Sequence, residues 1–160
     1  MTFDESIVID APAAVLFDLS QDYERRLEWD PFLQSAKLVD GADRPGVGVR
    51  ALCVDRNGAA METEYVSFNP PRAVAVKMTS GPWFLDSFAG SWRFEEIKPG
   101  QTRVGFCYSV RARPRWLSWL LNPILGRVFA RDTRRRLTAL KEAVEGRSPP
   151  PVQRAPGDAP

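Results

Sequence analysis

Apolar and polar residues alternate with a period of two in several runs between residues 3 and 113. Such alternation is typical of β-strands that are buried on one face, and turn residues separate the runs. It predicts seven strands, at residues 3–10, 35–39, 47–55, 59–68, 73–79, 87–97 and 103–113. Between them, Asn57-Gly58 and Pro99-Gly100 favour hairpins and Asn69-Pro70-Pro71 favours an open turn, so we expect an antiparallel meander.

After Pro114 the hydrophobic period changes to 3.6 residues, which predicts one long amphipathic helix. Its buried stripe consists of Leu117, Leu121, Leu125, Phe129, Thr133, Leu137, Leu140 and Val144. Asn122-Pro123 either kinks this helix or caps a new helix that begins at Pro123, and we favour the second alternative. Two short helices are expected after the first strand, one beginning at Asp10-Ala11-Pro12 and one at residues 23–27.

Residues 1–146 are expected to form one domain, and residues 147–160 a disordered tail. The tail contains five prolines in fourteen residues and too few apolar side chains to offset the entropy of ordering. A proline-rich ligand for a partner protein is the alternative interpretation of the tail. The whole chain has 160 residues and is 44% hydrophobic, which suffices for one core without disulfides or a structural metal.

The chain contains no histidine, which excludes Ser-His-Asp and Cys-His triads and zinc sites with histidine ligands. Its two cysteines, Cys53 and Cys107, are far apart, lie in predicted strands and form no Cys-x-x-Cys motif. We expect both thiols to be reduced and buried. The sequence therefore predicts neither a cofactor nor a metal site.

Net charge is distributed unevenly along the chain. Residues 1–110 carry 11 basic and 16 acidic residues, whereas residues 111–136 carry eight arginines and one acid, Asp132. Frequent Arg, Ala and Pro are typical of a GC-rich bacterial coding sequence, so only the clustering of the arginines is informative. The acidic first part of the chain does not favour nucleic acid as a partner.

The order strand, two short helices, six antiparallel strands and a long helix is that of the helix-grip fold. The chain resembles the SRPBCC superfamily and, within it, the polyketide cyclase/dehydrase and coenzyme Q-binding (START-like) groups. The segments that carry the resemblance are Ile7-Val8-Ile9-Asp10-Ala11-Pro12 with Val15 and Leu16, Trp29-Asp30-Pro31-Phe32, Phe68-Asn69-Pro70-Pro71-Arg72, Gly90-Ser91-Trp92-Arg93-Phe94 with Gly100-Gln101-Thr102-Arg103-Val104, and Arg134-Arg135-Arg136-Leu137.

This resemblance implies an α+β architecture in which a curved, seven-stranded antiparallel sheet wraps around the long C-terminal helix. It also implies a cavity between sheet and helix, suited to a mostly apolar ligand with a few polar anchors. The superfamily contains lipid carriers, cyclases, hydrolases and binding proteins, so the fold by itself does not specify a reaction.

The hairpin at Asn57-Gly58 fixes which side chains face the cavity. If the loop has two residues, Cys53 lies opposite Glu62 and Ala51 opposite Glu64. The face predicted to point inward is then Val47, Val49, Ala51, Cys53, Glu62, Glu64, Val66 and Phe68. A shift of one residue would instead place both glutamates in solvent, which is the more common situation for acids at alternate strand positions.

Two neighbouring carboxylates in an apolar cavity cannot both ionise at low cost, so one of them would have a raised pKa. Glu62 or Glu64 could then serve as a general acid or base, with Tyr108 orienting a ligand oxygen. The remaining cavity residues follow from the same alternation on later strands, from the loop at residues 80–86 and from the helix. The predicted ligand-binding residues are Trp29, Ala51, Cys53, Val66, Val76, Met78, Trp83, Phe84, Phe88, Trp92, Phe106, Leu121, Leu125 and Phe129.

The first turns of the long helix carry a second apolar stripe beside the buried one. It consists of Trp116, Leu120, Ile124 and Val128, with Trp119 at its edge. The flanking arginines are Arg127, Arg131, Arg134 and Arg135. A solvated helix face is the first interpretation, and a peripheral membrane contact through Trp116, Trp119 and these arginines is the alternative.

The sequence therefore supports three functional hypotheses. The leading one is a cytoplasmic protein that binds a hydrophobic small molecule, such as a lipid, an isoprenoid quinone or a polyketide-like aromatic. The second is an enzyme of the polyketide cyclase/dehydrase type that uses a cavity glutamate. The third is a peripheral membrane or assembly protein.

Overall fold

The computed structural model describes residues 2–146, so the predicted tail lies outside the described residues. Seven strands form one antiparallel sheet in the order β1-β7-β6-β5-β4-β3-β2. The strands are β1 Thr2–Ile9, β2 Leu33–Leu38, β3 Arg50–Asp55, β4 Ala60–Asn69, β5 Ala73–Ser80, β6 Leu85–Lys98 and β7 Gln101–Ala112. The helices are α1 Ala13–Gln21, α2 Arg26–Trp29 and α3 Ser118–Glu145, with a single 3₁₀ turn at Arg115–Leu117.

Consecutive strands are neighbours in the sheet, except that β1 pairs with β7. The segment containing α1 and α2 therefore crosses from one edge of the sheet to the other. The curled sheet and the long helix α3, which packs against β1 and β7, confirm the helix-grip fold. The largest fully buried side chains come from the sheet, from α1 and from the second half of α3, and they include Tyr65, Tyr108, Leu16, Leu137 and Leu140.

Helix α3 begins at Ser118 and continues through Pro123. The prediction that a new helix begins at Pro123 is therefore wrong. The side chain of Asn122 does not cap a helix, because its Oδ1 accepts the backbone N–H of Ala112 at 2.9 Å. This bond fixes the first turns of α3 to the end of β7.

The second short helix, α2, begins later than the pattern predicts. Its start is delayed because the Asp22 carboxylate accepts the backbone N–H groups of Glu24 and Arg25, at 3.1 and 3.2 Å. Short acidic side chains commonly stabilise such turns in competition with helix. The helix consequently covers Arg26–Trp29 and places Arg26 and Asp30 one turn apart.

The hairpin between β3 and β4 has a longer loop than two residues. The Asp55 carboxylate accepts the backbone N–H groups of Asn57 and Ala59, both at 2.8 Å, and Gly58 has a positive φ of 84°. Cys53 is therefore opposite Met61, and Ala51 opposite Thr63. The predicted register is therefore wrong by one residue. As a consequence, β4 points Met61 and Thr63 into the interior in place of Glu62 and Glu64.

A bulge on β4 between Tyr65 and Ser67 then changes the alternation again. Tyr65 is buried, whereas Val66 is 45% exposed, contrary to its predicted inward position. Beyond the bulge, Phe68 returns to the interior and contacts the ring of Phe17. The predicted inward position of Val47 is also wrong, since that side chain is exposed.

Within residues 2–146, no helix has the length and hydrophobicity needed to cross a membrane.

Candidate functional site

A cavity lies between the inner face of the sheet and helix α3. It provides about 150 Å³ of space for water-sized molecules, and an apolar cavity of similar size holds a single aromatic ring in other proteins. Its apolar lining is Phe32, Leu33, Cys53, Ala59, Met61, Val74, Val76, Pro82, Phe84, Leu85, Phe88, Trp92, Phe106 and Phe129. Its polar lining is Gln21, Tyr23, Arg26, Asp55, Thr63, Tyr65, Asp132, Thr133 and Arg136.

Aromatic rings from β6, β7 and α3 form one wall of the cavity, which we call the aromatic wall. The ring centroids of Trp92 and Phe106 are 4.9 Å apart, and those of Phe88 and Phe129 are 5.8 Å apart. Gly90 makes this packing possible, because a Cβ atom there would lie only 2.9 Å from the ring of Phe106 and 3.3 Å from that of Phe88. The wall therefore offers flat, apolar surfaces to a ligand.

A second part of the lining, which we call the polar wall, consists of Gln21, Tyr23, Tyr65, Arg26 and Arg136. It begins with a chain of hydrogen bonds between α1 and β4. Tyr65 donates its hydroxyl proton to Gln21 Oε1 at 2.8 Å, so the Tyr23 hydroxyl, 2.9 Å away, donates to Tyr65. Burial raises the pKa of Tyr65 and that of Tyr23 above their ordinary values. Both groups are consequently neutral phenols at physiological pH.

The polar wall continues with two arginines that share one carboxylate. Asp30 Oδ2 accepts the Nε–H of Arg26 at 3.2 Å and the Nε–H of Arg136 at 3.1 Å, and Asp30 Oδ1 accepts the Phe32 N–H. Burial alone would raise the pKa of Asp30, but the guanidinium groups of Arg136 and Arg26 lower it to below its usual range. Asp30 therefore stays ionised although its side chain is fully buried.

Two guanidinium groups face one carboxylate, so this part of the wall has an excess of positive charge. Aromatic rings partly compensate it, because Arg26 lies over Tyr23, Trp29 and Trp92 and Arg136 over Phe32, Trp92 and Phe106, at 5.3–5.9 Å from the ring centroids. Each guanidinium carries five N–H donors. This wall can therefore bind a ligand oxygen without a proton transfer.

Cys53 lies in the cavity lining on β3. Burial raises the pKa of its thiol, and the neighbouring arginines offset only part of that effect. The thiol is therefore protonated at neutral pH and is a poor nucleophile.

Half of the predicted ligand-binding residues line the cavity: Cys53, Val76, Phe84, Phe88, Trp92, Phe106 and Phe129. The structure places the other predicted residues elsewhere. Trp29 and Ala51 are buried in the core, Val66 and Trp83 are exposed, and Met78, Leu121 and Leu125 are only partly buried and outside the lining.

The predicted inward positions of Glu62 and Glu64 are wrong, as a consequence of the hairpin register. Both lie on the outer face of the sheet, where Glu62 Oε1 accepts hydrogen bonds from Arg50 Nη1 and Thr79 Oγ1, both at 2.8 Å. Glu64 lies 3.8 Å from the amino group of Lys77. Neither carboxylate can reach a ligand in the cavity.

Tyr108 also lies outside the cavity lining. Its hydroxyl donates to the backbone carbonyl of Gly126 at 3.3 Å, and its ring stacks on Phe3. Burial, with a smaller contribution from Glu5, raises its pKa to about 12. The predicted role of Tyr108 in orienting a ligand oxygen is therefore not supported by its position.

The polar wall was not predicted from the sequence, although two features of the sequence point to its charged residues. Arg26 and Asp30 have the four-residue spacing of a helical ion pair, next to Trp29. Arg136 directly precedes Leu137 of the buried stripe, which favours an inward position within an otherwise basic run. No local signal identifies Gln21, Tyr23 and Tyr65 as one group, because they come together only in the folded protein.

A second, more open pocket adjoins the cavity and shares Phe32, Asp55 and Asp132 with it. We call it the vestibule. Its other lining residues are Pro31, Arg56, Asn57, Arg127, Val128, Arg131 and Arg135. The cavity therefore opens toward a basic surface on α3. Arg134 does not belong to it, because its Nε donates to Glu5 Oε2 at 2.9 Å.

Among the residues that the structure describes, no group of three or more Cys, Asp or Glu side chains could hold a metal ion.

A family model described as "polyketide cyclase / dehydrase and lipid transport" matches residues 1–145. A search of curated proteins finds no match. Among solved structures, the fold is similar to that of a START superfamily protein from Mycobacterium smegmatis, with a TM-score of 0.74 and 12% identity over 92% of this chain and 99% of that one.

The fold is also similar to that of the Zhui aromatase/cyclase from Streptomyces, with a TM-score of 0.73 and 13% identity over 92% of this chain and 94% of that one. The di-domain ARO/CYC BexL gives a TM-score of 0.72 and 18% identity over 91% of this chain, which spans only 46% of that two-domain protein. At these identities, the likeness establishes the fold alone.

Proposed function

Because the chain belongs to the polyketide cyclase / dehydrase and lipid transport family, we propose that it binds a small, flat apolar molecule with an acceptor oxygen in the cavity between the sheet and α3. One observation carries this proposal. The cavity lining combines the aromatic wall with a polar wall built from two tyrosines and two arginines, and these arginines lie over Trp92 and Phe106 of the aromatic wall. Such a pairing of apolar surface with a few polar anchors is typical of small-molecule sites.

The size of the cavity favours some ligand classes over others. About 150 Å³ is below the usual 300–1,000 Å³ of sites for larger ligands, and two acyl chains would not fit into it. A ring that carries carbonyl or hydroxyl oxygens fits better, as in a quinone headgroup or a polyketide-like aromatic. An attached chain would extend into the vestibule.

The polar wall supports binding more strongly than acid-base catalysis. Asp30 is the most deeply buried acid beside the cavity, but two guanidinium groups hold its pKa low, which makes it a weak base. The raised pKa values of Tyr23 and Tyr65 make both phenols weak acids. We therefore propose ligand binding as the function and assign no catalytic residue.

Titration with 1-naphthol, followed by calorimetry, tests this proposal. The variant V76W fills the cavity from β5, and the matched control V66W places the same indole on the exposed outer face of β4. We expect V76W to weaken binding at least tenfold and V66W to change it less than twofold. If V76W does not fold, C53F serves as the alternative variant, because it fills the cavity from β3. Equal binding by the cavity-filling variants and the control would overturn the proposal.

A further inference from the structure

Three tryptophans are unusually exposed at one end of the molecule. Trp83, Trp116 and Trp119 are 80%, 77% and 75% exposed. Trp83 precedes β6, and the other two lie where α3 begins. The backbone N–H of Arg113 donates to the carbonyl of Phe84 at 2.8 Å, which fixes these two segments side by side.

The exposed apolar surface continues along α3. Leu120, Ile124 and Val128 follow Trp116 at four-residue steps, so they lie on one helix face, and each is about half exposed. Val128 also lines the vestibule. We call this set of residues, together with Trp83 and Trp119, the tryptophan surface. It extends from the end of the sheet to the entrance of the cavity.

Arginines border the tryptophan surface along its length. Arg115 lies at its start, and Arg127 and Arg131 lie beside Val128, all three exposed. Within residues 2–146 none of these three arginines forms an ion pair, although Asp86 pairs with the nearby Arg113 at 3.4 Å. The border is therefore strongly cationic, with few acids to neutralise it.

We propose that the tryptophan surface docks on a lipid bilayer that contains anionic lipids. Tryptophan is favoured at membrane–water interfaces, and arginines beside an apolar helix face bind anionic headgroups. A large contiguous apolar patch of this kind marks an interaction site in a soluble domain. A second copy of this chain fits less well, because a two-fold contact would bring the cationic borders together.

Docking in this orientation has a consequence for the cavity. The vestibule lies at the Val128 end of the tryptophan surface. When this surface is docked, the vestibule would therefore open toward the lipid headgroups. An apolar ligand could then pass between bilayer and cavity with little exposure to water. The docking itself does not depend on what the cavity binds.

Vesicle co-sedimentation of the full chain tests the proposal, with phosphatidylcholine vesicles that either contain or lack phosphatidylserine. We expect binding to the mixed vesicles, and at least a tenfold weaker binding by W116S/W119S. The matched control is I97S, since Ile97 is 41% exposed at the opposite end of β6. R127Q/R131Q should lose about fivefold per removed charge, and only with anionic vesicles.

Tryptophan fluorescence provides an independent measurement. Trp29 and Trp92 are buried, so a shift to shorter wavelength on adding vesicles would come from the three exposed indoles. The proposal is overturned if W116S/W119S binds vesicles as well as I97S does, or if the wild type does not bind mixed vesicles. Self-association that W116S/W119S abolishes, without vesicle binding, would assign the surface to a second copy instead.

Discussion

The guanidinium Nη2 of Arg136 lies 2.9 Å from a carboxylate oxygen of Asp30, although 106 positions separate the two residues along the chain. This ion pair connects α3 to the segment between α2 and β2. Because Arg26, four residues before Asp30, donates to the same oxygen, three charged groups from two distant parts of the chain meet beside the cavity. The charged part of the polar wall therefore holds α3 to the segment after α2 and is also a candidate ligand contact.

The variant D30N should destabilise the fold strongly. Removing one partner of a buried ion pair leaves uncompensated charge, and here two guanidinium groups would lose their carboxylate. We expect the free energy of unfolding to fall by about 3–5 kcal/mol, measured by denaturant titration. The control D18N changes an exposed aspartate on α1 and should stay within about 0.5 kcal/mol of the wild type. A small effect of D30N would show that the ion pairs of Asp30 contribute little to the stability of the fold.

The two tyrosines of the polar wall should differ in their contribution to stability. Y65F removes the donor to Gln21 Oε1 and leaves that buried oxygen without its partner, which should cost about 1–3 kcal/mol. Y23F leaves the bond between Tyr65 and Gln21 intact, so it should cost less than Y65F. Thermal or denaturant unfolding of both variants measures this difference, and the reverse order would contradict the proposed direction of the hydrogen bonds.

Stability should decline at alkaline pH. Burial raises the pKa of Tyr65 and Tyr23 in the folded protein, whereas in the unfolded chain both should titrate near pH 10. Above about pH 10 the unfolded chain therefore loses protons that the folded protein retains, and the free energy of unfolding decreases as the pH rises. The decline should be shallower in Y65F, as measured by denaturant unfolding at several pH values. An equal slope would mean that Tyr65 titrates normally.

Gly126 should be required for the contact between α3 and β1. A Cβ atom at this position would overlap the ring of Phe3, which itself stacks on Tyr108. G126A should therefore lower the free energy of unfolding by about 1–3 kcal/mol, despite the higher helix propensity of alanine. In the background of F3A, which vacates that space, G126A should cost much less. Additive effects of the two substitutions would contradict this explanation.

The strand pattern could be predicted because alternation is a local property of the sequence. The register of β3 and β4 could not, because it depends on the Asp55 carboxylate accepting two backbone N–H groups and so lengthening the loop. That single hydrogen-bonded turn moved Glu62 and Glu64 from the predicted interior to the outer face. A second local event, the bulge after Tyr65, reversed the alternation again.

The aromatic wall was largely predicted, since Phe88, Trp92 and Phe106 follow the alternation of long, regular strands. The polar wall was not, because it depends on a contact between Asp30 and Arg136 that only the folded chain brings about. Composition alone does not distinguish Arg136, which lines the cavity, from the exposed arginines of the same segment. Its helix position beside Leu137 was the available signal.

The glutamates on the outer face supply a further prediction. Because Glu62 pairs with Arg50 and Thr79 outside the cavity, E62Q and E64Q should bind 1-naphthol within about twofold of the wild type. Calorimetric titration checks this. A tenfold loss in either variant would show that the outer face contributes to the site.

The central claim is that a ligand sits in the cavity, against the aromatic wall and with an oxygen on the polar wall. Nuclear Overhauser contacts between bound 1-naphthol and isotope-labelled methyl groups test it most directly. The account predicts contacts to Met61, Val74 and Val76 in the cavity lining and none to Leu52, Val54 or Val66 on the outer face. Contacts to the outer-face methyl groups without contacts to the lining would contradict it.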